Sequence, residues 1–142
     1  MNKLEILLRL GGLLHFAILS ASALVPRMLD WRNNLAGLHP FLRRLFWVYG
    51  AFVVLMITGL GTLTLLNAGA MAAGEPAARS IAALIAVFWL ARLGVQWFVF
   101  DARPFLTNRL LSVGYHGLTL AFVYLVIVYG WAACFPAPGR TL

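Results

Sequence analysis

The chain has 142 residues, of which 63% are hydrophobic and 11% charged, and a formal net charge of +7. Soluble domains carry about 25% charged residues, so this composition excludes an ordinary water-facing surface. At about 20 apolar residues per membrane-spanning helix, the length holds four spans with short connections and leaves nothing for a separate soluble catalytic domain.

The first apolar run covers about residues 6–25 and stops at Pro26-Arg27. Lys3 ahead of the run and Ala21-Ser22-Ala23 behind it have the form of a signal peptide and its cleavage site. Glu5, Arg9 and His15 fit an apolar signal core poorly, so the expectation is a retained helix. In the connection that follows, Asp30 is placed to cap a short helix with Trp31, Leu35 and Leu38 on one face. Two forms suit that pattern: a helix lying flat in the membrane interface, or a segment folded onto the mouth of the bundle. His39-Pro40 ends it, which places His39 in water or headgroups.

The second run covers about residues 45–66, opening after Arg43-Arg44 and closing at Asn67-Ala68-Gly69. A third covers about 80–100, with Pro76 where a missing N–H costs nothing and Asp101 at its end. The fourth covers about 110–133, ahead of Pro136 and Pro138. None alternates as a membrane strand does, so the expected fold is all-α: one polytopic four-helix bundle over residues 1–142. Trp47, Trp97 and Trp131 fall near span ends as interfacial anchors. Ala78, Ala82 and Ala86, and Gly114 with Gly117, are small residues suited to close helix packing. Arg9-Leu10-Gly11 and Arg92-Leu93-Gly94 form a weak internal echo that would suit duplicated helix pairs.

The basic residues sit mostly at the ends of apolar runs, as headgroup anchors and topology signals do, and not in the clusters of a nucleic-acid-binding fold. Arg27, Arg32, Arg43, Arg44, Arg103 and Arg109 lie in the first and third connections. The opposite side holds Lys3, Arg79 and Arg140, so the first and third connections are expected in the cytoplasm and both termini outside. A single cysteine, Cys134, excludes an internal disulfide and a multi-cysteine metal site.

An ionisable residue inside a span is costly and therefore a candidate for function. Arg92 lies nine residues before Asp101, roughly 13 Å from the end of its helix, with Gln96 one turn on along the same face. His116, His15, Tyr49, Tyr115 and Thr119 fall at comparable depths, in the half of the spans counted as cytoplasmic. Thr58, Thr62, Thr64, Tyr124 and Tyr129 are left to the outer half.

Three readings compete for this group. In the first, each polar side chain is satisfied locally and serves packing. In the second, His15 and His116 ligate one b-type haem and Arg92 neutralises a propionate, as in an electron-transfer membrane protein. In the third, as in a small transporter or a lipid- or anion-binding protein, Arg92, Gln96, Tyr115 and Tyr49 form a ligand-binding group, Arg92 clamping a carboxylate or lipid phosphate between walls that include Phe88 and Trp89. No carboxylate lies within any span, and scattered histidines make a poor hydrolytic metal site, so an enzyme is the least favoured class.

Val25-Pro26-Arg27 with Asp30-Trp31-Arg32, Trp47-Val48-Tyr49-Gly50, Phe88-Trp89-Leu90-Ala91-Arg92, Phe100-Asp101 and Gly114-Tyr115-His116 carry a resemblance. In them the chain resembles a family of small four-span bacterial inner-membrane proteins without an assigned activity. The resemblance spans the chain and implies a bacterial inner membrane and a compact bundle, with no functional residues to carry over. The expected role is a non-enzymatic accessory or ligand-binding subunit of a membrane assembly. Its expected partners are the lipid bilayer and either other membrane subunits or further copies of the chain, with no nucleic acid.

Overall fold

The structure is a computed structural model that describes residues 2–99 and 109–135, all helix or short turn without a strand among them. Four helices are long: α1 (Lys3–Ser22), α4 (Pro40–Ala73), α5 (Pro76–Phe98) and α6 (Arg109–Cys134). Two single turns, α2 (Val25–Met28) and α3 (Trp31–Asn34), lie in the first connection. The long helices are long and apolar enough to cross a membrane, α1 doing so with α2 as Lys3–Met28. The fold is thus the all-helical arrangement of four apolar helices expected of a multi-pass membrane bundle.

Local signals explain most helix ends. The Asn2 side chain caps α1 by accepting from the Glu5 amide at 2.8 Å, and Glu5 also holds Arg9 at 3.0 Å one turn on. His39 caps α4 in the same way, its Nδ1 accepting from the Phe41 amide, with Pro40 as the first helical residue. At the other end of α4, Gly74 adopts φ 79° and the Glu75 amide bonds back to the Ala70 carbonyl, which closes the helix.

Helix α4 therefore runs beyond both ends of the expected second span, to 34 residues or about 51 Å. Asn67 does not stop it, because the side-chain amide donates to the Leu63 carbonyl and stays within the helix. In the first connection, Asp30 takes a left-handed conformation and makes no side-chain cap; its carboxylate accepts from Asn33 instead. The helical stretch is one turn, and Trp31 packs edge-on against Phe46 at 4.9 Å and Trp47 at 5.5 Å. This segment takes the second of the two expected forms, folded back onto the base of α4. The expected boundary at Asp101 lies outside the described residues.

Helix α1 lies antiparallel along α4, and α5 along α6; the two hairpins meet chiefly through α1 and α6. Each long helix buries one stripe at helical spacing: Leu8, Gly11, Gly12, His15 and Ile18 on α1, and Ala78, Ala82, Ile85, Trp89, Leu93 and Gln96 on α5. Burial is uneven along the bundle. Helix α4 has no buried residue before Ile57, and α6 has none before Phe122. The packed core sits at the end that holds the α4–α5 turn, and the end bearing the first connection is open.

The closest approach is between α1 and α4. A Cβ added to Gly61 would fall 2.9 Å from the His15 Cβ and 3.2 Å from the Gly12 carbonyl; one added to Gly12 would lie 3.3 Å from the Gly61 carbonyl. Ala78 and Ala82 are buried as expected, whereas a Cβ added to Gly114 or Gly117 would meet nothing within 4 Å. Among the described residues those two glycines make no close helix contact, a correction to the expected pattern. The arginine echo is also out of register: Arg9 is the seventh residue of α1, while Arg92 is the seventeenth of α5.

Gly61→Val should force α1 from α4 and cost about 1–3 kcal/mol, the usual range for overpacking. Gly117→Ala should leave stability unchanged or raise it by up to about 1 kcal/mol through helix propensity. Thermal unfolding of both variants in one detergent separates the two sites, and equal losses would contradict the Gly12–Gly61 contact.

Candidate functional site

His15 has no exposed surface and stands where all four long helices converge. The indole of Trp89 on α5 donates to His15 Nε2 at 3.0 Å. An indole N–H only donates, so Nε2 must be the acceptor and the ring proton sits on Nδ1. That Nδ1–H donates to the Gly11 carbonyl, one turn back on α1, at 2.7 Å. Both ring nitrogens are thereby engaged, and the imidazole is the neutral tautomer.

Two more helices complete the cage. Tyr129 on α6 sets its ring edge-on to His15 with centroids 5.8 Å apart, and its hydroxyl donates to Thr64 Oγ1 on α4 at 2.8 Å. Thr64 passes its own proton to the Leu60 carbonyl at 2.9 Å. Gly11 admits the tyrosine, since a Cβ there would lie 3.1 Å from Tyr129 Cε2. Beside this group, Tyr124 on α6 donates to the Leu7 carbonyl of α1 at 2.8 Å. The cross-helix bonds His15–Trp89, Thr64–Tyr129 and Leu7–Tyr124 each join the α1/α4 hairpin to the α5/α6 hairpin.

A second polar group lies between α5 and α6. Gln96, 4% exposed, donates through Nε2 to Thr119 Oγ1, and Thr119 donates to the Tyr115 carbonyl at 2.9 Å. The Arg92 guanidinium stands over the Phe122 ring at 5.2 Å and lies within electrostatic reach of Tyr115. Phe122 stacks on Trp89 with centroids 5.0 Å apart, so an aromatic pair connects the two polar groups.

The residues singled out from the sequence are thus divided. Arg92, Gln96 and Tyr115 are brought together, with Thr119. Tyr49 is not: it lies 62% exposed on the uncovered first half of α4. His116 is exposed on α6 and touches the Tyr115 ring, not His15. His15 meets α6 at Tyr129, thirteen residues and about 20 Å along the axis from His116. The structure does not bring His15 and His116 together as paired ligands, and His15 could bind iron only by giving up its bond to Trp89 or to Gly11. Among the described residues there is no group of three or more His, Cys, Asp or Glu side chains that could hold a metal ion. Cys134 is exposed at the end of α6.

The polar centre also sits differently from its expected place. Tyr129, expected in the outer half, is a ring partner of His15, and Thr64, expected there too, bonds Tyr129. Depth counted from span ends misplaces Thr64, since α4 extends well past both of its expected ends. The missed partners carried one signal, the pairing of Gly11-Gly12 with His15 one turn on, which marks a helix face pressed close to its neighbours.

Comparison with protein-family models, with curated proteins and with solved structures finds no match to this chain.

Trp89→Phe keeps the ring stack but leaves His15 Nε2 buried without a donor, which should cost about 1–3 kcal/mol. A double-mutant cycle with His15→Phe should return a coupling of about 0.6–1.7 kcal/mol, the range for hydrogen bonds between membrane helices. Additive losses, measured by reversible unfolding in mixed micelles, would mean that the bond contributes nothing.

Proposed function

We propose that this chain is a non-enzymatic subunit of a larger membrane assembly, inserted in a bacterial inner membrane with both termini on the outer side. One observation carries the reading: the interior polar groups are turned upon one another, while the first half of α4 has no buried residue before Ile57. His15, Trp89, Thr64 and Tyr129 satisfy each other, leaving no nucleophile or general base directed at a substrate. On this reading the Arg92–Gln96–Thr119 group is structural and ties α5 to α6. Pro40–Met56, about 25 Å of helix, contains no buried residue and presents Phe41, Trp47, Tyr49 and Phe52 to the bilayer. Such an aromatic helix is suited to packing against a neighbouring subunit. The orientation is supported by the arginines of the first connection.

A photo-crosslinking side chain at the exposed Phe52, with a control at Leu60, buried on the packed half of the same helix, tests the assembly. The expected result is a discrete crosslinked polypeptide from Phe52 in native membranes, recovered with the chain in mild detergent. A chain that crosslinks only to lipid and transports a solute in liposomes would overturn the reading.

Orientation is tested in a Cys134→Ser background. Glu75→Cys should react with an impermeant maleimide in intact cells, and Gly37→Cys only after permeabilisation. The reverse pattern would invert the topology.

A further inference from the structure

Among the described residues, the arginines at the two ends of the bundle are partnered differently. At the end holding the α4–α5 turn, Arg9 is paired with Glu5 at 3.0 Å. Arg79 there donates through Nε and Nη2 to the Ala133 carbonyl at 3.0 and 2.8 Å, closing the last turn of α6. At the opposite end, Arg27 on α2, Arg32 on α3, and Arg43 and Arg44 in the first turn of α4 make no side-chain hydrogen bond or ion pair among the described residues. Asp30 is the sole acidic residue between positions 25 and 44, and its carboxylate is already held by Asn33 at 2.8 Å.

All four cations lie in the first connection and the start of α4, at one end of the bundle. Trp31 packs on Phe46 and Trp47, which sets α3 against the second turn of α4. Arg32 is therefore adjacent to the ring that touches α4 one turn beyond Arg43. Apolar surface adjoins the group directly: Leu38, Phe41, Leu42 and Trp47 are between 38% and 66% exposed. A guanidinium offers paired N–H groups that match phosphate oxygens. A free phosphate would use only the cations, whereas a phospholipid would use the cations for its headgroup and the adjoining apolar side chains for its acyl chains.

We propose that Arg27, Arg32, Arg43 and Arg44 form a collar that binds the phosphate headgroups of anionic phospholipids. The collar concentrates such lipids around the open end of the bundle, where α4 has no buried residue before Ile57. This inference rests on the four helices spanning a bilayer and is independent of any partner subunit.

The test uses the full chain, purified in mild detergent and offered phosphatidylglycerol and phosphatidylcholine of matched acyl chains. Native mass spectrometry reads lipid retained, and thermal unfolding reads stabilisation. The wild type should retain phosphatidylglycerol in preference to phosphatidylcholine and melt higher with it. Arg32→Gln and Arg44→Gln, both at exposed positions, should each weaken that preference by roughly fivefold, the effect of one basic residue near an anionic surface. The quadruple glutamine variant should abolish it, and Arg9→Gln at the other end should not alter it. Equal retention of the two lipids by the wild type, or an undiminished preference in the single variants, would overturn the collar. Stabilisation by inorganic phosphate alone equal to that by phosphatidylglycerol would overturn the lipid assignment. Loss of lipid preference with Phe52 crosslinking retained separates this inference from the assembly reading.

Discussion

An imidazole sealed among apolar helices needs an acceptor for its one proton and a donor for its other nitrogen, because no water is at hand to supply either. His15 meets that demand in two ways. The acceptor is local, the Gly11 carbonyl one turn back. The donor must come from another helix, and it is the Trp89 indole, 74 residues along the chain. Leaving a buried polar group unmade costs more than making it gains. The pairing therefore acts mainly by penalising arrangements in which α5 stands elsewhere relative to α1. Membrane helices have little hydrophobic drive to choose among neighbours, so such a penalty is an effective way to specify one packing.

The small residues make the pairing reachable. Gly12 and Gly61 let α1 and α4 approach to backbone contact, which leaves His15 pressed against α4 with its ring turned to the centre. Gly11 leaves the space that the Tyr129 ring fills. From that position the tyrosine hydroxyl reaches Thr64 and joins the remaining pair of helices. Three glycines and four polar or aromatic side chains thus act as one unit, and the order of dependence is clear. Backbone approach places the histidine, the histidine fixes Trp89, and Trp89 orders Phe122 and, through it, the Arg92 side chain.

This concentration of cohesion at one end accounts for the character of the other. Toward the arginine-bearing connection α4 continues without a buried residue before Ile57. Among the described residues, the Trp31–Phe46–Trp47 contact returns chain to that part of the helix. Arg9 and Arg79 have partners within the protein at the packed end, whereas Arg27, Arg32, Arg43 and Arg44 have none among the described residues.

Composition and run length alone determined that this is an all-helical chain with four apolar helices, because a span must satisfy its own backbone hydrogen bonds and has a minimum length. Pro76 at the start of α5 and Arg92 with Gln96 on one face of it were likewise legible, since they depend on local geometry. Only the tertiary structure decided which polar side chains are partners. His15 with His116 and Tyr49 with Arg92 are reasonable pairs when depth is counted along separate helices. In the fold, helix rotation turns His116 and Tyr49 outward, His116 lies about 20 Å along α6 from the residue that meets His15, and Trp89 and Tyr129, the latter bonded to Thr64, come to His15. That rotation is set by where backbones can approach, at Gly12 and Gly61, and a contact between glycines 49 residues apart leaves no periodic trace in either apolar run.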